Sequence, residues 1–408
     1  MTESFDITCA VPRSGRTFEN FLNRLKSFEI DHAAVETILR ITRESKKRSS
    51  ADYQEAVQFL DAAMSEMPCF GLFIDRKRHH RPYRVGFLGY EWTINGVRVR
   101  IEGEEPHNGS SLIRLDEIDC AVVGLDELLT LTQYYLHDPT SVTKWGMYNY
   151  QVEKPTDIRI AGSAQLTRYN SVLQQEVQDI VGFFLISKPS SRYRSIYAPD
   201  ADRPYPDDFL AHLAQNGRRV YVKGRYTGLV KAAYPELKID SVEDVEDAVM
   251  AGQPGSVGLE LVQTGNTIKQ KGLLLHGAPL FLSESLWVVD YKRYLNSKAL
   301  QTFVKSVKPA SYFAEERIRQ FALWYLALET NMGEAWITKP AITDLFCSPE
   351  DVAHGLRPYR LQTRYWRPHD EYKQEEALDL VNKSRLRLQN YYEMRKEELI
   401  EPIEQLVM

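Results

Sequence analysis

The sequence predicts an α/β fold over about residues 5–295, followed by a helical region. The chain opens with an apolar run, a turn, and a segment from Phe18 to Phe28 in which apolar side chains recur at helical spacing. Short apolar runs then alternate with helical segments, which is the pattern of an α/β layer. Strand signals stop near residue 295, and residues 312–330 and 371–406 show only helical periodicity.

The elements between these points follow from local signals. Residues 31–67 predict helices with a basic interruption at Lys46–Arg48. Residues 83–101 predict three strands, and Asn95-Gly96 is typical of a two-residue hairpin turn between the last two. A leucine-rich helix is predicted to begin near Asp126. Later apolar runs predict strands over residues 118–123, 181–187, 219–223, 257–262 and 280–289, the last with a break around Ser283–Ser285.

Composition and charge exclude several classes of protein. The 408 residues contain 51 Lys and Arg against 56 Asp and Glu, a formal net charge of −5, so we expect no nucleic-acid partner. Hydrophobic residues make up 43%, which excludes wholesale disorder. The four cysteines lie far apart and form no metal or disulfide pattern, which favours a reducing, cytoplasmic setting. There is no signal-peptide pattern and no apolar stretch of about 18 residues, so we expect no membrane partner.

The clearest motif lies at residues 257–267, where an apolar strand delivers Glu260 and then the loop Thr264–Thr267. Gly265 allows close backbone approach to a ligand or a positive φ. The threonine hydroxyls and the loop N–H groups are suited to donate to phosphate oxygens. The alternative is a plain strand-to-helix turn with Thr267 as the helix N-cap.

Three further motifs place polar residues where strands end. Residues Pro12–Arg16 lie at the start of the first helix, where N–H groups and two arginines attract anions. Residues Val220–Gly228 carry basic and hydroxyl groups after a strand, at the sheet edge where α/β proteins bind ligands. Residues Val122–Leu129 contain Asp126. Taken singly, the Pro12–Arg16 motif is better explained by a solvated loop with a serine cap, and Asp126 by a helix cap.

The order and spacing of these motifs resemble the ATP phosphoribosyltransferase family, which catalyses the first step of histidine biosynthesis. Five motifs of that family have counterparts in this chain, in the same order. They are the P-K-G-R loop, the D-x-G-I-x-G-x-D-x-L strand end, the T-x-Y-P loop, the G-S-V-E segment and the D-L-V-x-T-G-x-T-L-x-x-N-G-L motif. The corresponding residues are Pro12–Arg16, Asp119–Leu128, Lys223–Gly228, Asp240–Glu243 and Glu260–Leu273.

The resemblance implies a two-lobed fold similar to periplasmic binding proteins of type II, with the site between the lobes. The implied catalytic domain covers residues 1–295, with an insertion at about 31–110 and chain exchange between lobes near 125–180 and 280–290. Residues 296–408 are then a helical C-terminal region in place of the family's small regulatory domain, so histidine feedback through such a domain is not expected.

The resemblance also implies roles for individual residues. Arg16 and Glu260 are the expected catalytic residues. Binding of phosphoribosyl pyrophosphate (PRPP) is implied for Glu243, Glu260, Thr264, Gly265, Asn266 and Thr267. Contact with the acceptor or its phosphates is implied for Arg13, Ser14, Gly15, Arg16, Asp126, Lys223, Arg225 and Thr227. Mg²⁺ is expected as the cofactor that accompanies PRPP, with no metal site of the protein itself.

By the resemblance, the reaction transfers the 5-phosphoribosyl group from PRPP to a ring nitrogen of ATP or a related acceptor, and a homo-oligomer is expected. Four departures keep other functions open: Glu260 replaces the usual Asp, the Lys223–Gly228 loop differs from T-x-Y-P, residues 31–110 carry an insertion, and the C-terminal region is predicted to be helical. The last two favour the first of the following alternatives. One alternative is an enzyme that uses another acceptor in a specialised biosynthetic pathway. The other is a non-catalytic nucleotide- or phosphosugar-binding or regulatory protein on the same scaffold.

Overall fold

The structure is a computed structural model that describes residues 5–48, 52–74, 82–105, 117–128, 158–171, 175–188, 213–233, 236–253, 256–307, 324, 327–328, 331–333 and 337–338. The helix predicted over residues 371–406 and most of the one predicted over 312–330 lie outside these residues. No helix in the described ranges is long and apolar enough to cross a membrane.

Fifteen strands are described. They are β1 (Ile7–Pro12), β2 (Phe70–Ile74), β3 (Tyr83–Phe87), β4 (Gly89–Ile94), β5 (Val97–Glu104), β6 (Cys120–Gly124), β7 (Ile158–Ser163), β8 (Thr167–Asn170), β9 (Gln175–Gln178), β10 (Ile180–Ser187), β11 (Arg219–Lys223), β12 (Lys238–Val242), β13 (Val257–Val262), β14 (Leu274–Asp290) and β15 (Ile337–Thr338).

The described α-helices lie mainly in the connections between strands. They are α1 (Gly15–Leu25), α2 (His32–Lys47), α3 (Tyr53–Glu66), α4 (Thr227–Ala233), α5 (Val245–Ala251), α6 (Asn266–Gln270), α7 (Tyr291–Asn296) and α8 (Lys298–Val307). A short 3₁₀ helix over Gly224–Tyr226 precedes α4.

One mixed sheet of eleven strands organises the molecule, in the order β12-β11-β13-β10-β14-β6-β1-β5-β4, with β7 and β15 paired to β14. In one section β1 runs parallel to β5 and β6, and in the other β11 runs parallel to β12 and β13. The antiparallel strands β10 and β14 lie between these sections. The α/β class is therefore confirmed, and the two parallel sections form the two lobes.

The long strand β14 belongs to both lobes. Its first part pairs with β10 as far as Glu284, and its second part pairs with β6 and β7 from Ser285 onward. The predicted break around Ser283–Ser285 is therefore wrong. The strand continues through this polar segment because Glu284 is buried and accepts hydrogen bonds from Ser163 (2.7 Å) and Gln178.

Other local predictions are confirmed. Helix α1 buries Phe18, Phe21, Leu22 and Leu25 of its predicted face, whereas Phe28 lies beyond the end of the helix and is half-buried. The turn at Asn95-Gly96 has φ values of +48° and +82°, as a type I′ hairpin requires, and it connects β4 to β5. The hairpin is part of the main sheet, because β5 pairs with β1 along its length.

The hydrophobic core has two clusters. The first packs α1, α2 and β1–β5 with α8, whose Phe303 is 1% exposed and meets Trp287 edge-on at 5.6 Å between ring centroids. A boundary at residue 295 would divide this cluster. The second cluster joins the lobes, since it contains Val123 from β6 together with Val222 and other side chains of the second parallel section.

Candidate functional site

The loop Thr264–Thr267, called the T-G-N-T loop below, follows β13 in the second lobe, the one that contains the parallel strands β11, β12 and β13. Gly265 has φ +75°, the left-handed region that favours glycine, and it is the N-cap of α6, which begins at Asn266. The positive φ predicted for Gly265 is thus confirmed. Thr267 is an exposed residue inside α6, so the alternative in which Thr267 is the N-cap is wrong.

A cavity of about 210 Å³ lies against this loop. It is lined by Arg16, Arg168, Tyr169, Asn170, Ser171, Gln263, Thr264, Asn266, Ala327, Leu328 and Asn331. The charged members of this lining are the two arginines. Arg16 comes from the first turn of α1 in the first lobe, whereas Thr264 comes from the second lobe, so the cavity lies between the lobes.

Buried polar partners hold Arg168 in place. Its Nε lies 3.6 Å from a carboxylate oxygen of Asp179, which also accepts hydrogen bonds from Asn20 (2.7 Å) and Gln263. Burial lowers the pKa of Arg168, the Asp179 carboxylate opposes this, and the charge of Arg16 lowers the pKa further. Two guanidinium groups therefore repel each other beside one carboxylate, and an anion in the cavity would relieve that repulsion.

The two arginines of the Pro12–Arg16 loop make different contacts, and one of them lines the cavity. Ser14 is the N-cap of α1 but its side chain makes no capping hydrogen bond, and Gly15 has φ +86°. Arg16 follows and lines the cavity. Arg13 does not, since its guanidinium lies 3.4 Å from Glu104 and stacks 4.2 Å over the ring of Phe73. The structure therefore brings Arg16, but not Arg13, to the loop.

A second polar cluster connects the ends of β6 and β11. The buried Asp126 accepts hydrogen bonds from the Tyr226 hydroxyl (2.6 Å) and the Ser283 hydroxyl (2.5 Å). Glu127 accepts a hydrogen bond from Arg225 at 2.6 Å. Burial, with the nearby Asp126 charge, raises the pKa of Glu127 to about 7. These contacts join the two lobes.

Glu260 lies near the end of β13 and does not line the cavity. Burial raises its pKa to about 7, although the Leu261 N–H (2.9 Å) and the charge of Lys223 lower it. Lys223 ends the neighbouring parallel strand β11. The pairing of β11 with β13 therefore brings these two predicted residues together.

The sequence of this chain matches a known family. The model of the halobacterial ATP phosphoribosyltransferase family matches residues 1–309. The chain belongs to this family. Membership places the chain in the class of phosphoribosyltransferases. The matched residues end just after α8.

Comparison with solved structures gives weaker similarities. The chain is similar to the ATP phosphoribosyl transferase (HisG:HisZ) complex from Thermotoga maritima, at 12% identity and a TM-score of 0.35, covering 74% of this chain and 96% of that one. It is also similar to a Candida albicans gene product with the generic periplasmic binding protein fold, at 11% identity and a TM-score of 0.29, covering 74% and 86%. Comparison with curated proteins gives no match. Family membership rests on the sequence match.

The family motifs occupy distinct positions in the fold. Arg16, Thr264 and Asn266 meet at the cavity. Glu243 is exposed after the edge strand β12 and does not line it. The Thr227 hydroxyl at the start of α4 is buried and has no hydrogen-bond partner among the described residues.

Sequence reasoning missed most of the side chains that line the cavity, among them Arg168 and Asn331. Arg168 lies on the β8–β9 hairpin. Asn331 lies 67 residues after Thr264, whose carbonyl oxygen it contacts. Neither belongs to a motif. An arginine within the short polar segment Thr167–Asn170 gives no local signal, because only the fold brings it beside Arg16.

Proposed function

We propose that this member of the family transfers the 5-phosphoribosyl group from PRPP to a ring nitrogen of ATP and releases pyrophosphate. The observation that carries the proposal is the cavity in which Arg16 and Arg168 face the T-G-N-T loop from the other lobe. Guanidinium groups and loop N–H groups are the donors that proteins use for phosphate. Family membership supports the reaction class.

The cavity is proposed to hold the 5-phosphate of PRPP. Its volume of about 210 Å³ is below the ~300–1,000 Å³ typical of pockets that enclose a whole ligand, so it suits one phosphorylated end. Thr264 offers a hydroxyl, and Gly265 places no Cβ on the loop. Two arginines beside one buried carboxylate leave a net positive charge for the phosphate.

The chemistry is a displacement at C1 of the ribose. The bond between C1 and the pyrophosphate oxygen breaks, its electron pair leaves with pyrophosphate, and the acceptor nitrogen forms a new bond to C1. Positive charge develops on the ribose in the transition state, and the proposed role of ionised Glu260 is to stabilise it near the ribose. Holding both reactants in line supplies much of the remaining rate enhancement.

The proposed acceptor side is the region around Lys223, Arg225 and Asp126. Because Arg225 already pairs with Glu127, Lys223 is the proposed contact for acceptor phosphates, with Thr227 as a hydroxyl donor. No cluster of three or more His, Cys, Asp or Glu in the described ranges could hold a metal ion. Mg²⁺ is proposed to arrive bound to the pyrophosphate of the substrate.

The decisive experiment measures pyrophosphate release with PRPP and a panel of acceptors that includes ATP. Pyrophosphate release from PRPP that occurs with ATP and with no other acceptor of the panel supports the proposal. Release with another acceptor favours the specialised enzyme, and PRPP binding without release identifies a binding protein. Light scattering of the full chain tests the expected homo-oligomer.

Arg168→Ala tests the phosphate site within this assay. Losing a charge-assisted hydrogen bond costs about 1.5–3 kcal/mol, or roughly ten- to a hundredfold in kcat/KM. Arg219→Ala is the matched control, because Arg219 also pairs with an aspartate, Asp240 at 2.5 Å, but is 68% exposed and outside the cavity lining. Equal kcat/KM in both folded variants would remove Arg168 from the site.

A further inference from the structure

Two side chains from beyond the family match hold the backbone of the T-G-N-T loop. The indole N–H of Trp324 donates to the carbonyl oxygen of Gln263 at 2.9 Å. The side-chain amide of Asn331 donates to the carbonyl oxygen of Thr264 and to the side-chain oxygen of Asn266, both at 2.6 Å. The match to the family ends at residue 309, so the matched part of the chain supplies neither donor.

The contact is reciprocal and close. The ammonium group of Lys269 in α6 donates to the backbone carbonyl of Asn331 at 2.8 Å. A Cβ placed on Gly265 would lie 2.3 Å from the sulfur of Met332 and 3.0 Å from Leu328, so the backbone of the loop packs directly on these side chains. Leu328 and Met332 are 1% and 0% exposed. The apolar part of the contact is thus buried, and its hydrogen bonds lie at the part-buried and exposed margin.

The orientation of the loop carbonyls matters for an anion. A carbonyl oxygen that turned toward the cavity would repel a phosphate, while the N–H of the same peptide unit would attract it. Because Trp324 and Asn331 hold the successive carbonyls of Gln263 and Thr264, where the loop begins, they restrict rotation of those two peptide units. Such restriction lowers the entropy that the loop loses when a ligand binds.

We propose that Trp324 and Asn331 are positioning residues for the phosphate loop, and that this chain depends on them for PRPP affinity. The inference rests on the proposed function for the identity of the ligand. It goes beyond that proposal because it assigns a role in the site to two residues that lie outside the part of the chain matched by the family model.

The test compares the full chain with Asn331→Ala and Trp324→Phe. The phenylalanine keeps an aromatic ring opposite Phe184, which lies 6.0 Å from Trp324 between ring centroids, and removes only the N–H donor. Asn296→Ala is the matched control, because Asn296 also donates its amide to a backbone carbonyl, that of Lys292 at 2.8 Å, at an exposed site.

Two measurements are made on each protein. Hydrogen–deuterium exchange without ligand follows the peptide over residues 263–272, with residues 7–25 as the internal reference. Calorimetric titration measures PRPP affinity, and steady-state assays separate KM for PRPP from kcat. We expect faster exchange confined to 263–272. PRPP affinity should be about threefold to tenfold weaker in Trp324→Phe, the range for one lost hydrogen bond, and at least as much weaker in Asn331→Ala, which loses two. KM should rise more than kcat falls.

The outcomes are separable. Unchanged exchange of the loop in both variants overturns the inference, and so does faster exchange with unchanged PRPP affinity. A general loss of stability would instead raise exchange in the reference peptide and lower kcat, which also overturns a positioning role. If the wild-type chain does not bind PRPP, the proposed function fails by itself, and titration with inorganic phosphate takes the place of PRPP in the same comparison.

Discussion

Replacing Glu260 by glutamine should change how the stability of the protein depends on pH. In the folded protein burial raises the pKa of Glu260 from its ordinary value of 4.5 to about 7. Below pH 4.5 the carboxyl is protonated in both the folded and the unfolded chain and has no effect. Between pH 4.5 and 7 the unfolded chain loses this proton while the folded chain keeps it, so the free energy of unfolding falls as the pH rises. Above pH 7 the penalty is constant.

The shift sets the size of the effect. Each pH unit in this window costs at most about 1.4 kcal/mol, and between pH 5 and 8 the loss from Glu260 comes to about 2–3 kcal/mol. Glutamine cannot ionise, so Glu260→Gln should gain about 2–3 kcal/mol relative to wild type between pH 5 and pH 8. Glu127, whose pKa is also about 7, contributes equally to both proteins and cancels in the difference.

Urea unfolding at pH 5 and pH 8, followed by both circular dichroism and tryptophan fluorescence, measures this difference. Coincident transitions from the two probes allow one free energy to be extracted. Glu36→Gln is the control, because the Glu36 side chain is 62% exposed and exposed carboxyls carry little desolvation penalty. If the difference between Glu260→Gln and wild type is the same at both pH values, the burial argument for Glu260 is wrong.

Three further results are expected. Gly265→Val should abolish PRPP binding in calorimetry, because φ +75° disfavours a β-branched residue and the new Cβ would meet Met332; unchanged affinity in a folded variant would contradict the loop assignment. Arg16→Ala should lower kcat/KM for pyrophosphate release by roughly ten- to a hundredfold and Arg16→Lys by less, since lysine keeps the charge but not the fork; equal values for both would exclude a guanidinium-specific role. Phe303→Ala should lower the free energy of unfolding by about 3–5 kcal/mol, because Phe303 is buried against Trp287; a loss below about 1 kcal/mol would show that α8 is not part of the core.

The sequence alone determined the features that depend on neighbours along the chain. Helical spacing identified the buried face of α1, and Asn95-Gly96 identified a turn that needs two positive φ values. Gly265 was predicted to allow a positive φ, and the structure has it there. Each is a short-range property, since side-chain spacing and allowed backbone angles act within a few residues.

Tertiary structure alone decided which side chains meet. Arg13 and Arg16 lie in one loop and looked equivalent in the sequence, yet Arg13 pairs with Glu104 while Arg16 reaches the cavity. Arg168 enters the same cavity from a hairpin that has no motif. Such contacts join residues far apart in the chain, and the pairing of strands and the packing of lobes fix them. Periodicity and composition carry no information about that pairing, because a side chain's own neighbours do not specify its distant partner.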